Sequence, residues 1–202
     1  MGTRHLIAVQ YNGEYKIAQY GQWDGYPSAQ GVEVLKFISN NDYLEKLKSK
    51  LPNVRFIDDE KDKDFIESYN KSAPEYPNNL DSRTPEQKMW YESYMSRNLG
   101  FRILENIANS QDKEILLNNR ITFAADSLFC EYAYVVDLDS ETFEIYRGFQ
   151  KSPPAQGERF ANLEVDKGSE YFQVTLVKKY DLSNLPTREQ FLDDLTKKEE
   201  DE

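Results

Sequence analysis

Residues 2–31 read GTRHLIAVQYNGEYKIAQYGQWDGYPSAQG. Two apolar, β-prone runs flank Asn12-Gly13. Asn-Gly between such runs predicts a β-hairpin, because a type I′ turn needs positive φ at both central positions. Strand one spans about Arg4 to Tyr11 and strand two about Glu14 to Tyr20. Leu6, Ile7, Ala8 and Val9 are continuously apolar, so both faces of strand one are expected to be covered. Strand two alternates, with Tyr15, Ile17 and Gln19 opposite Lys16, Ala18 and Tyr20.

A constrained loop follows. Glycines at 21, 25 and 31 permit close backbone approach, and Pro27 fixes one φ and restricts Tyr26. A rigid loop that mixes aromatic, acidic and amide side chains suits contact with a ligand or partner. The candidate binding residues are Arg4, Gln19, Tyr20, Gln22, Trp23, Asp24, Tyr26 and Gln30. A plainer alternative is an Ω-loop whose Asp24 and glutamine side chains satisfy its own amides.

Outward from this segment, Val34, Leu35, Ile38, Leu44, Leu47 and Leu51 predict a helix from about Val32 to Leu51, broken near Asn40-Asn41 and stopped at Pro52. Asn53 to Ile57 reads as an extended link. Asp58 to Asp64 reads as the solvated start of a short helix through Phe65, Ile66 and Tyr69. Thr84-Pro85-Glu86-Gln87 carries a capping box, predicting a helix to about Ala108 with Met89, Trp90, Tyr94, Phe101, Leu104 and Ile107 in the core. Gly100 is its weak point, costing roughly 1 kcal/mol against alanine.

Leu128–Leu138 and Thr142–Phe149 predict a second hairpin, Tyr171–Tyr180 a fifth strand, and Thr187 with Gln190 a second capping box opening a last helix. Tight connections favour antiparallel pairing. The expected fold is therefore α+β, a mainly antiparallel sheet of two β-hairpins plus a fifth strand with helices packed on it. It forms a single domain over residues 1–196, with a helical insert at about 32–110 and a disordered acidic tail at 197–202.

Composition removes several functions. The 202-residue chain carries a formal net charge of −11, which argues against direct duplex nucleic-acid binding. That charge suits solubility, and also a protein partner with a basic surface. One cysteine, Cys130, rules out an intramolecular disulfide framework and suits a cytoplasmic protein; its place in an apolar strand makes it a small core residue. One histidine, His5, leaves little for a metal site or a Ser-His-Asp triad and reads as a satisfied structural imidazole. No cofactor or metal is expected. The chain has neither an apolar run of membrane-spanning length nor a signal-peptide core, so no membrane association is expected.

Two functions are read from the residues. In a small-molecule or nucleotide site, Tyr20, Trp23 and Tyr26 stack a ring, Gln19, Gln22, Asp24 and Gln30 read its edges, and Arg4 pairs with a carboxylate or phosphate. In a hydrolase, Asp24, Asp126 and Glu131 are the carboxylates nearest apolar segments.

GTRHLI, YGQWDGYPSAQG, LFCEYAYVVDLDSETFEIYRGF and LVKKYDLSNLPTREQFL resemble a family of uncharacterised proteins of bacteria, prophages and other mobile elements, with distant fungal relatives. The resemblance covers nearly the whole chain, and YGQWDGYP is its most specific part. It implies a standalone accessory protein, and by association a non-enzymatic, anti-CRISPR-like inhibitor of host defence acting by protein–protein contact. A vaguer similarity is to the N-terminal-nucleophile hydrolase layout. Removal of Met1 would expose Gly2, which has no nucleophilic side chain, and Thr3 lies one residue too far in.

Overall fold

The computed structural model describes residues 2–72, 84, 85, 93, 94 and 96–200, and for residues 197–200 the backbone alone. Asn12 and Gly13 take φ of 56° and 77°, the values a type I′ turn requires, and join β1 (His5–Tyr11) to β2 (Glu14–Gly21). A second antiparallel hairpin joins β5 (Tyr132–Asp137) to β6 (Thr142–Arg147), and β7 (Thr175–Asp181) pairs antiparallel with β6. The sheet order is β2-β1-β5-β6-β7. The two hairpins meet through parallel pairing of β1 with β5, so their turns lie at the same end. There the Asp139 carboxylate accepts hydrogen bonds from the Asn12 and Gly13 amides at 2.7 and 2.8 Å.

β1 is an interior strand and is buried on both faces, as its continuous apolar run predicts. Ile7, Val9 and Ile17 belong to the core beneath α1 (Val32–Ile38), α2 (Asn41–Lys50), α4 (Arg102–Asn109) and α5 (Arg188–Glu200). Leu6 and Ala8 pack on the other face with Ala124, Cys130, Tyr146, Phe160 and Val174. That face is covered by irregular chain. The fold is α+β: five α-helices among the described residues, one five-stranded sheet, and a small second sheet. No helix among the described residues is long and apolar enough to cross a membrane.

Local chemistry sets the boundaries. Asn40 caps α2, its Oδ1 accepting from the Asp42 and Tyr43 amides, which breaks the helical stretch where Asn40-Asn41 predicts. The capping box at α5 is formed: the Thr187 amide donates to Gln190 Oε1 at 2.9 Å, and the Gln190 amide to Thr187 Oγ1 at 3.2 Å. This helix continues through Glu200.

The structure corrects four elements. The helix expected from Thr84 to Ala108 is not continuous, because residues 96–101 form turns and α4 begins only at Arg102. Gly100 takes φ of 54°, a conformation no helix contains. Gln87, Met89 and Trp90 lie outside the described residues. The extended link becomes β3 (Val54–Phe56), paired in parallel with β4 (Ile115–Leu117).

The strand expected from Leu128 starts at Tyr132, because the Phe129 and Cys130 amides fold back onto the Asp126 carbonyl at 3.1 and 2.8 Å. Cys130 therefore precedes the strand. It is buried, and burial pushes its thiol well above the usual range. The charge run at 58–64 is not wholly solvated. Asp62 is buried, receives a bidentate pair from Arg55 at 2.6 and 2.8 Å, and precedes α3 (Lys63–Lys71).

Candidate functional site

The expected loop 21–31 is irregular only to Tyr26; Pro27–Gly31 winds into a helical turn that runs into α1, and the segment is held mainly by its backbone. The Gly25 amide donates to Thr3 O at 2.9 Å, the Gln30 amide to Asp24 O at 3.2 Å, and Tyr134 Oη to Gly25 O at 2.8 Å. The ring of His5 lies beneath the start of the loop, and a Cβ on Gly21 would run into it. That close approach is why glycine stands there. His5 is fully buried, yet neither ring nitrogen has a hydrogen-bond partner among the described residues, contrary to the satisfied imidazole expected. Burial pushes its pKa down to about 4, only partly offset by the Thr3 backbone.

The eight candidate residues separate into groups. Gln19 is buried, and its Nε2 donates to Tyr20 O at 3.0 Å and Ser96 O at 2.9 Å. Tyr20 donates to Gln22 Oε1 at 2.6 Å, and its ring meets Phe123 edge-on at 4.8 Å. The Gln22 amide donates to Arg97 O at 3.0 Å. Trp23 donates from Nε1 to Asn98 Oδ1 at 3.1 Å and is 49% exposed. The Arg4 guanidinium lies 4.4 Å from the centre of the Phe129 ring.

The remaining three turn elsewhere. Tyr26 is half exposed with its ring beside Tyr132. Asp24 is exposed in the left-handed region at φ 57°. Gln30 Oε1 accepts from the Phe101 amide at 2.7 Å, satisfying a donor at the start of α4.

Gln19 and Tyr20 line a cleft of about 1100 Å³. Ser96, Arg97 and Asn98 contribute from one segment, Asn118 to Phe129 from another, Tyr69 from α3, and Glu164 to Ser169 from a third segment. Gln22 and Trp23 stand one hydrogen bond behind the lining, and Arg4 reaches it through Phe129. Burial raises the Tyr20 phenol pKa, and the positive charges of Arg4 and Arg97 pull it back, so all three share one field. Of the three carboxylates singled out in the sequence, Asp126 lines the cleft, Glu131 accepts from the Arg4 amide at 3.1 Å, and Asp24 stays in loop 21–31.

Sequence reasoning missed Arg97, Asn98, Arg120, Phe123 and Phe129. No local periodicity marks them, because their common property is position in space. Arg97 and Arg120 are exposed, and neither has a carboxylate within ion-pair distance among the described residues. No group of three or more His, Cys, Asp or Glu side chains among those residues is placed to hold a metal ion.

A second polar cluster differs in character. On the sheet face away from the helices, Arg159 bonds Glu144 at 2.6 Å and also Asp137 and Gln10. Glu144 further accepts from Tyr146 at 2.6 Å and Lys179 at 2.9 Å. Burial alone would raise the Glu144 pKa. The hydrogen bonds from Arg159, Tyr146 and Lys179 outweigh it and hold the carboxyl at about 2. Arg159 thereby ties the irregular segment carrying Phe160 to β5 and β6.

No family model, curated protein or solved structure matches the chain.

Proposed function

We propose that this chain is a small-molecule-binding protein whose working site is the cleft beside β2. One observation carries the reading: the roughly 1100 Å³ cleft joins aromatic surface from Tyr20, Phe123 and Phe129 to amides from Gln19, Asn98 and Asn118 and to unpaired arginines. Ligand sites have this composition, apolar walls with a few polar groups that fix orientation, and volumes of about 300–1,000 Å³. Gln19 and Tyr20 are set by the β1–β2 hairpin, so part of the site is preorganised.

Native mass spectrometry of gently purified protein, followed by ligand-observed NMR with a fragment library, tests it. Binders should lose affinity in Tyr20→Ala and Phe129→Ala while the melting temperature stays near wild type for Phe129→Ala. Fragments that bind only outside the cleft, or none at all, would refute the reading.

A second reading rests on Trp23 and Tyr26, two half-exposed aromatics on one constrained loop. Exposed aromatics on a rigid support are favoured anchors for protein contact. With the acidic charge, they suit a cytoplasmic inhibitor that docks on a basic surface of a host-defence protein, the role implied by the mobile-element resemblance. Trp23→Ala should then abolish capture of the partner. Unchanged capture would remove this reading.

A further inference from the structure

We propose, building on the cleft as a ligand site, that its ligand is an aromatic anion: a planar ring carrying a carboxylate or phosphate, of the size of a nucleoside monophosphate. Two arginines outside the cleft are held by carboxylate pairs. Arg55 is held by Asp62 and Glu114, and Arg159 by Asp137 and Glu144. The carboxylates exist in excess, since the chain has 36 acidic residues against 25 basic ones. Among the described residues, Arg97 and Arg120 nevertheless stand in the cleft without one.

Arg4 is also incompletely served. Its Nε is buried without a hydrogen bond, 3.9 Å from Glu131 Oε1, the oxygen that also accepts from the Arg4 amide at 3.1 Å. Its guanidinium covers Phe129, a ring that is 44% exposed and lines the cleft. Cationic forks beside aromatic surface match an anionic group attached to a ring.

The cleft also contains Asp126, Glu164 and Asp166. These repel a bare anion but accept hydrogen bonds from amino or hydroxyl groups. A ligand with an anionic end and N–H or O–H donors elsewhere satisfies both sets, as inorganic phosphate does not.

Titration of the full chain by 1H–15N NMR tests the assignment with five probes: adenosine monophosphate, adenosine, inorganic phosphate, benzoate and benzylamine. Adenosine monophosphate and benzoate should compete for one site, shifting the signals of Tyr20, Arg97 and Arg120. Adenosine monophosphate should bind at least about tenfold tighter than adenosine or phosphate, the order expected of a charge-assisted contact. The double variant Arg97→Gln, Arg120→Gln should erase that ratio while keeping the wild-type melting temperature, since both side chains are exposed.

Binding of adenosine or benzylamine in the cleft as tightly as the anions would overturn the ligand class and leave the cleft standing as a ligand site. If no probe shifts a cleft signal while neutral fragments do, the class is likewise wrong. If neither probes nor fragments shift one, the cleft itself is not a ligand site.

Discussion

The cleft beside β2 and the Arg159 cluster on β5 and β6 are built from the same side-chain types and reach opposite ends. Each combines arginine, carboxylate, tyrosine and amide groups. Around Arg159 every charge is answered: Asp137 and Glu144 are nearly inaccessible, and Lys179 completes the set. In the cleft, Arg97 and Arg120 stay unanswered and exposed. Buried charge must be paired to be tolerated, so the first arrangement serves the fold. Unpaired cations in a concave, aromatic-walled space contribute little to the fold and are free for a ligand.

The strongest way to break this contrast is at Arg159. Arg159→Ala leaves buried Asp137 without its cation and Glu144 with Lys179 alone, and removing one partner of a buried ion pair costs roughly 3–5 kcal/mol. Urea denaturation should show a large loss of midpoint. A loss below about 0.5 kcal/mol, the range of ordinary surface changes, would mean that the pairing is not structural.

Acid supplies the next largest effect. The His5 pKa is about 4 in the folded chain against 6.5 when free. The unfolded chain therefore takes up the proton first as pH falls. Stability is complete above pH 6.5 and declines down to about pH 4, by on the order of 3 kcal/mol. Glu144, held near 2 against 4.5, adds a further loss between those values as its carboxylate is protonated. Denaturation midpoints at pH 7.5, 5.5 and 4.5 should fall in that order, and His5→Phe should flatten the upper part of the profile. A flat wild-type profile between pH 7.5 and 4.5 would show that His5 is hydrated in solution.

A smaller effect separates Gln30 from the other loop residues. Gln30→Ala strands the Phe101 amide, at a cost of about 1–3 kcal/mol, without touching the cleft. Melting should move while ligand affinity does not. Smallest of all, Trp23→Ala removes a half-exposed ring and one hydrogen bond, and should shift stability by less than about 1 kcal/mol. A loss of several kcal/mol at Trp23 would place it in the packing and not at a contact surface.

How far the sequence reached depends on the distance over which each feature is decided. Asn12-Gly13, Asn40 and the Thr187–Gln190 pair act within a few residues, and each did what its local chemistry requires. Apolar, β-prone runs flanking short turns placed both hairpins. Gly100 shows the limit of that reasoning: glycine permits a positive φ without demanding it, and there the Gln30 side chain packs against it. Of the residues that line the cleft, Gln19 and Tyr20, at the end of the first hairpin, and Asp126 were singled out in the sequence. Arg97, Arg120 and Phe129 were not, since they meet only when three distant segments converge.

By itself the sequence determined the α+β class, the two hairpins and the two-sided burial of β1, all of which follow from turn chemistry and from the pattern of apolar residues. Tertiary structure alone decided the rest. It set the parallel joining of β1 to β5, locked by Asp139 onto a turn 127 positions away. It paired the link at Val54–Phe56 with β4 in a second sheet, buried His5 without hydrogen-bond partners among the described residues, and divided the charges into those that hold the fold together and those left free in the cleft. The physical reason is that pairing and burial are relations between segments. A residue type states what it can bond, and only the packed chain states what is within reach.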